Sequence, residues 1–155
     1  MNYFELFEIP VSLDINKNAL SKKYFELQRK YHPDFFTQST EEEKAVALEK
    51  SSIINKAFKI LQDEDERTKY LLQIKGLLKE DEKYQLPPEF LMEMMELNET
   101  SSEEATKYSD DLYREVKVII EHYNDTAATN ETLLKLKEYY YKKKYLQRIL
   151  DRTAG

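Results

Sequence analysis

Residues Asn16–Asp34 read NKNALSKKYFELQRKYHPD. Leu20, Tyr24, Leu27 and Tyr31 recur at steps of four, three and four, which places them on one stripe of a helix of period 3.6. Lys22, Lys23, Arg29 and Lys30 fall outside that stripe. Between Asn16 and Tyr31 there are five bases and a single acid, Glu26, in a chain whose net charge is −6. The helix is therefore a local electropositive island. Pro33 ends it, because its ring disfavours helical geometry at the preceding residue. His32 and Asp34 are then displayed on a stiff corner beside a basic face.

The bulk composition narrows the fold. Of the 155 residues, 41% are hydrophobic and 35% charged, with two glycines and four prolines. That leaves little material for tight hairpins or a glycine-rich phosphate loop. Strand-like alternation is absent, so the expected class is all-α. The acidic balance argues against nucleic-acid binding. No run of about eighteen apolar residues suggests a membrane span, and MNYFELFEIP lacks the basic-then-apolar order of a secretory signal. Zero cysteine excludes disulfides, thiol catalysis and thiolate-held zinc or iron–sulfur clusters. A cytoplasmic protein without cofactor or metal is the expectation.

Outward from the basic helix, Tyr3, Phe4, Leu6, Phe7 and Ile9 form an aromatic lead-in closed by Pro10, expected to be a short helix docked on the core. Asp14 or Asn16 can cap the basic helix. A polar loop, Phe35–Ser39, precedes the capping box Thr40/Glu43. The helix it opens puts Ala47, Leu48, Ile54, Ala57, Phe58 and Leu61 on one broad face, to lie antiparallel against the first. Asp63–Glu66 starts a further helix with Tyr70, Leu71 and Ile74 facing inward and Gly76 as its C-cap. Residues 1–76 form one domain on this reading, 77–86 a linker and 87–155 an antiparallel three-helix bundle. In that bundle Pro87-Pro88 opens a helix over Glu89–Glu99. Ser101/Glu104 caps a second, about Glu103–Asn124, with Ala105, Tyr108, Leu112, Val116, Ile119 and Tyr123 on its stripe. A last helix from Asn130–Glu131 carries Leu133, Leu136, Tyr140, Leu146, Ile149 and Leu150.

As chemistry, His32-Pro33-Asp34 is thin. A histidine two residues from an aspartate could do acid–base work, yet no nucleophile, metal ligand or anion loop accompanies it. The extended proline backbone does not aim the imidazole at its neighbour's carboxylate. No enzyme is expected; a small helical enzyme using His32 as base is a weak rival. The context gives the tripeptide another meaning. A basic amphipathic helix ending Tyr-His-Pro-Asp, then a loop, then a long helix containing SSIINKAFKIL, resembles the J-domain of the DnaJ class. The resemblance implies that the tripeptide and the basic helix dock on a DnaK-class chaperone and accelerate its ATP hydrolysis. Asp34 would then accept charge-assisted hydrogen bonds, His32 and Pro33 would hold the loop, and Lys22, Lys23, Arg29 and Lys30 would steer the approach to an acidic surface. Phe35 departs from the basic residue that often follows the tripeptide.

The second half has its own signal. Leu91, Met92, Met94, Met95 and Leu97 are too many apolar residues for one narrow stripe, so some should stay outside the bundle. Glu89–Asp111 holds eight acids and one base, Lys107. An apolar patch rimmed by one sign of charge suits protein docking, and methionine adapts its shape cheaply. On the residues alone, the alternative of plain bundle core with solvated acids stays open. EFLMEMMELNE resembles the scaffold-binding segment of the HscB family, J-type co-chaperones of iron–sulfur cluster assembly. That resemblance implies two partners, the dedicated chaperone HscA and the cluster scaffold IscU. It assigns scaffold contact to Leu91, Met92, Met95, Glu96, Glu99, Glu103 and Tyr145. A J-protein serving some other client is the rival within the class. His122 lacks companion ligands and reads as structural or exposed. Lys142-Lys143-Lys144 reads as a run favouring the negative end of its helix.

Overall fold

The structure, a computed structural model, describes residues 1–153. Among these the chain is all-α and forms two compact units, one comprising Met1–Tyr70 and one starting at Leu71.

In the first unit α1 (Tyr3–Leu6) buries Phe4, and Phe7 follows it into the core. The helices α2 (Lys17–Tyr31) and α3 (Glu41–Leu61) make a hairpin. Asn16, rather than Asp14, caps α2 by accepting the Ala19 amide at 3.0 Å, and Thr40 caps α3 through the Glu43 amide at 3.1 Å. Side chains along the seam fix the direction of the pair. Tyr24 stacks on Phe58 at 4.2 Å and donates to Asn55 Oδ1 at 2.6 Å. Gln28, one turn on, donates to the same oxygen at 2.7 Å and accepts from Ser51 Oγ at 3.0 Å. Partner numbers fall as α2 numbers rise, so the helices are antiparallel. Leu20, Leu27, Ala47, Ile54, Ala57 and Leu61 are buried. Leu48, expected on that face, is 61% exposed, because the seam follows Ala47, Ser51 and Ile54 and leaves position 48 on the far side.

The helix α4 (Glu64–Ile74) is capped by Asp63, which accepts the Glu66 amide at 3.0 Å. Tyr70 stacks flat on Tyr3 at 4.5 Å, and its hydroxyl accepts the Tyr3 amide. Leu71 and Leu72 are buried, whereas Ile74, expected inside, is 38% exposed as the helix ends. Gly76 then takes φ +75°, letting Leu77 N–H reach back to Leu72 O at 2.9 Å. That left-handed turn favours glycine. Buried inside the first unit is one charge, Arg67. Its Nε and Nη2 donate to Leu13 O at 3.1 and 2.8 Å, and Nη1 donates to Leu61 O.

In the second unit α5 (Pro88–Leu97), α6 (Ser102–Glu121) and α7 (Asn130–Thr153) form the bundle. Phe90, Met94 and Leu97 point inward from α5 at steps of four and three. The α6 stripe is Ala105, Leu112, Val116 and Ile120; Ile119 is only half-buried because the helix keeps to a step of four. That helix ends at Glu121, so Tyr123 lies beyond it, where its hydroxyl donates to Asp125 at 2.8 Å. From α7 Leu133, Leu136, Tyr139, Leu146 and Ile149 are buried, with Tyr139 taking the place expected of Tyr140. The lysine run does not sit at a helix end, since α7 continues to Thr153. Lys142 pairs with Glu138 at 2.9 Å and lies over the Phe90 ring, while Lys144 is exposed.

The segment before α5 is bonded to α7. Glu82 accepts from Lys137 Nζ at 2.7 Å and from Tyr141 Oη at 2.9 Å. The bond from Lys137, followed by that from Tyr141, holds the Glu82 carboxyl below its ordinary value of 4.5. A carboxyl lowered by folding stabilises the native state fully above its unfolded value, and that contribution is lost as pH falls through the folded one. In urea unfolding between about pH 5 and pH 3, Lys137→Met is therefore expected to flatten the acid dependence of stability as well as lower it at neutral pH. Identical slopes in the two chains would mean that Glu82 carries none of it.

Candidate functional sites

The corner after α2 is cross-tied. His32 is extended (φ −61°, ψ 132°), as the following proline requires, and its N–H closes α2 by donating to Gln28 O at 2.7 Å. Pro33–Phe36 forms a 3-10 turn where a plain loop was expected, with Phe35 N–H donating to His32 O at 3.0 Å. The imidazole does face the aspartate, against the expectation from an extended proline backbone, because the 3-10 turn folds residue 34 back. Nδ1 accepts the Asp34 amide at 3.2 Å and lies 3.6 Å from Asp34 Oδ2. Accepting at Nδ1 puts the neutral ring's proton on Nε2. The Asp34 side chain remains 86% exposed.

The four basic residues are not equivalent. Lys22, Arg29 and Lys30 are exposed and form no ion pair with an acid among the described residues. Lys23 turns instead to Glu8 at 3.3 Å and Glu26 at 3.9 Å, with 24% of its side chain exposed. Sequence spacing cannot show that contact, since Glu8 precedes the helix. Phe25 on α2 and Phe35 after it stand exposed, and Phe35 meets the His32 ring edge-on at 6.2 Å.

On α5 the apolar residues divide. Met92 and Met95 are 64% and 71% exposed, and Leu91 is half-buried. Glu96 lies exposed on the same side of the helix; Glu99 follows in the turn, and Glu103 stands in the first turn of α6. An acid at a helix N-terminus also stabilises that helix, so Glu103 has a local role of its own. Tyr145 of α7 is half-buried edge-on to Phe90 at 6.0 Å. Nearby, Glu93 accepts from the Tyr108 hydroxyl at 2.6 Å; burial first, then that bond, push the phenol above its usual range. Among the described residues no group of three or more His, Cys, Asp or Glu could hold a metal ion, and no helix is long and apolar enough to cross a membrane.

Residues 2–70 match the DnaJ domain family, and residues 86–154 match the C-terminal oligomerisation domain of HSCB. A co-chaperone protein HscB homolog from Shewanella halifaxensis is 38% identical over 136 residues, covering 87% of this chain and 77% of that protein. The chain belongs to the HscB family. A second HscB homolog, from Shewanella amazonensis, is 39% identical over 66% of this chain, and the match spans only 60% of that relative's length. Two solved HscB structures share the fold. Human co-chaperone HscB aligns at TM-score 0.79 and 26% identity over 99% of this chain and 81% of its own. The HscB chaperone from Vibrio cholerae aligns at 0.64 and 27%, covering 98% and 99%.

Proposed function

We propose that this HscB-family chain is a two-headed adaptor, stimulating the ATPase of a DnaK-class chaperone, HscA, and delivering to it the iron–sulfur scaffold protein IscU. The observation that carries the reading is the exposed Asp34 carboxylate, set on a hydrogen-bonded corner after the helix that carries Lys22, Arg29 and Lys30, which have no ion pair among the described residues. An exposed acceptor on a hydrogen-bonded backbone corner, next to steering charges, suits docking on another protein, because the main chain that carries it is already ordered. Residues 1–76 would face the chaperone and 87–155 the scaffold, with 77–86 joining them. The scaffold would lie on Leu91, Met92, Met95 and Tyr145, with Glu96, Glu99 and Glu103 meeting basic residues across the contact. Holding both partners on one chain makes delivery effectively intramolecular.

Steady-state ATP hydrolysis by the chaperone, alone, with this chain, and with chain plus scaffold, tests the proposal. Stimulation that rises again when scaffold is added is expected. A chaperone indifferent to the chain in both conditions would overturn it; stimulation without any scaffold effect would assign the second head to another client. Met92→Ala with Met95→Ala is expected to weaken scaffold binding by about 1–3 kcal/mol. Both side chains are mostly in solvent, so bundle stability should change by less than about 0.5 kcal/mol. Calorimetric titration beside thermal melting separates the two effects. Unfolding of the bundle without a binding defect would return these methionines to the core.

A further inference from the structure

Between the segment 82–88 and α7 lies an open groove of about 610 Å³, within the range that takes a small ligand or a few side chains. Tyr84 and Tyr141 stack in parallel at 4.4 Å along it, and Leu86, Leu91 and Tyr145 supply further apolar surface. The groove contains one acid, Glu82, and both of its oxygens are taken, one by Lys137 and the other by Tyr141. Lys83, Lys144 and Arg148 also line it, and none of the three has an ion pair among the described residues. An acidic module, with seventeen acids and twelve bases over 77–155, thus keeps three uncompensated cations around an aromatic hollow. Service to the helix dipole does not account for Lys144 and Arg148, because that effect is confined to the last turn, which Arg152 occupies.

We propose that this groove receives an acidic segment of the scaffold protein, an apolar side chain lying on Leu91 and Tyr145 and a neighbouring carboxylate meeting Lys144 and Arg148. The proposal rests on the reading of the α5 face as the scaffold-docking surface, with which the groove is continuous through Leu91. The docking surface then has two poles. Glu96, Glu99 and Glu103 lie beyond Met92 and Met95 on one side, and the groove cations lie on the other. A surface of one sign would accept a complementary partner in several orientations, whereas two opposite poles select one.

The double variant Lys144→Glu/Arg148→Glu tests the groove, compared with the native chain and with Met92→Ala/Met95→Ala. Both replaced side chains are exposed, so its circular dichroism and melting should match the native chain. Its scaffold affinity, by calorimetry, is expected to fall about tenfold at ~0.1 M salt, with the gap narrowing at ~1 M salt. Chaperone stimulation without scaffold should be unchanged. Amide exchange over 82–86 and 141–148 should slow when scaffold is added to the native chain. Native-like scaffold affinity in the charge variant, with the methionine variant impaired, would overturn the groove and leave the scaffold reading standing. No scaffold binding by the native chain would overturn that reading, and the groove with it. Slowed exchange that follows the concentration of this chain alone would identify the occupant as a second copy, and the proposal would be wrong.

Discussion

Asp34→Asn is expected to abolish stimulation of the DnaK-class ATPase while leaving helix content, melting and scaffold binding as they were. The substitution keeps the size of the side chain and one of its two acceptor oxygens, removes the charge, and puts an NH2 donor where the second oxygen was. Little inside the molecule depends on that charge. The carboxylate is 86% exposed, and the corner is held by backbone groups and by the imidazole that accepts the Asp34 amide. A partner loses far more, because hydrogen bonds to a charged group contribute about 1.5–3 kcal/mol each. One such bond lost outright, with a second stripped of its charge, corresponds to a drop in affinity of about tenfold or more. The measurement is chaperone turnover across a titration of the variant. A curve superimposable on the native one would remove the tripeptide from the mechanism. A lower but saturating plateau would mean that Asp34 acts after docking rather than in it.

Arg67→Met should produce the largest loss of stability, about 3 kcal/mol or more in the first unit. Arg67 as a whole residue is only 4% exposed. It holds together the connector that carries Leu13, the last turn of α3 at Leu61 and the start of α4. Methionine fills similar space but donates nothing, so two buried carbonyls lose their donor, each at a cost of about 1–3 kcal/mol. For a unit of this size the melting midpoint should fall by roughly 12 °C or more. Lysine should rescue little, since an ammonium cannot fork to Leu13 O while also reaching Leu61 O. Thermal and urea unfolding of native, Arg67→Lys and Arg67→Met chains would check the order; a shift below about 2 °C in the methionine variant would show that the fork is dispensable.

Arg67 also marks where reading the sequence runs out. It follows Glu64-Asp65-Glu66, a run that looks like a solvated helix start, and nothing nearby announces that its side chain turns inward to a carbonyl 54 positions earlier. Local signals behaved differently. The α2 stripe, the Thr40 and Ser101 caps, the proline stop and the Gly76 turn all follow from neighbours within a few residues, and each is present. The expected surplus of apolar residues on α5 is there too, with Met94 inside and Met92 and Met95 outside. The apolar stripes in sequence are wider than the buried ones at Leu48 and Ile74, since periodicity gives the centre of a stripe better than its edges. The corner was legible as a stiff display of His32 and Asp34, but not the 3-10 turn that brings the imidazole to the aspartate. The pairing of Lys23 is hidden from the sequence because its partner, Glu8, precedes the helix. The cationic groove was hidden for a similar reason: its acid and the lysine that occupies it are 55 residues apart.

The polar seam between α2 and α3 has a mechanical consequence. Tyr24 and Gln28 share one oxygen of Asn55, and Ser51 closes on Gln28, so these bonds are loaded together when the two helices are pulled past one another. Force applied the other way, prising the helices apart from the Thr40 end, would open the same bonds in succession. A motor gripping the tripeptide and tugging along the helix axes would meet a stiff lever, whereas one twisting the hairpin open would find it yielding link by link.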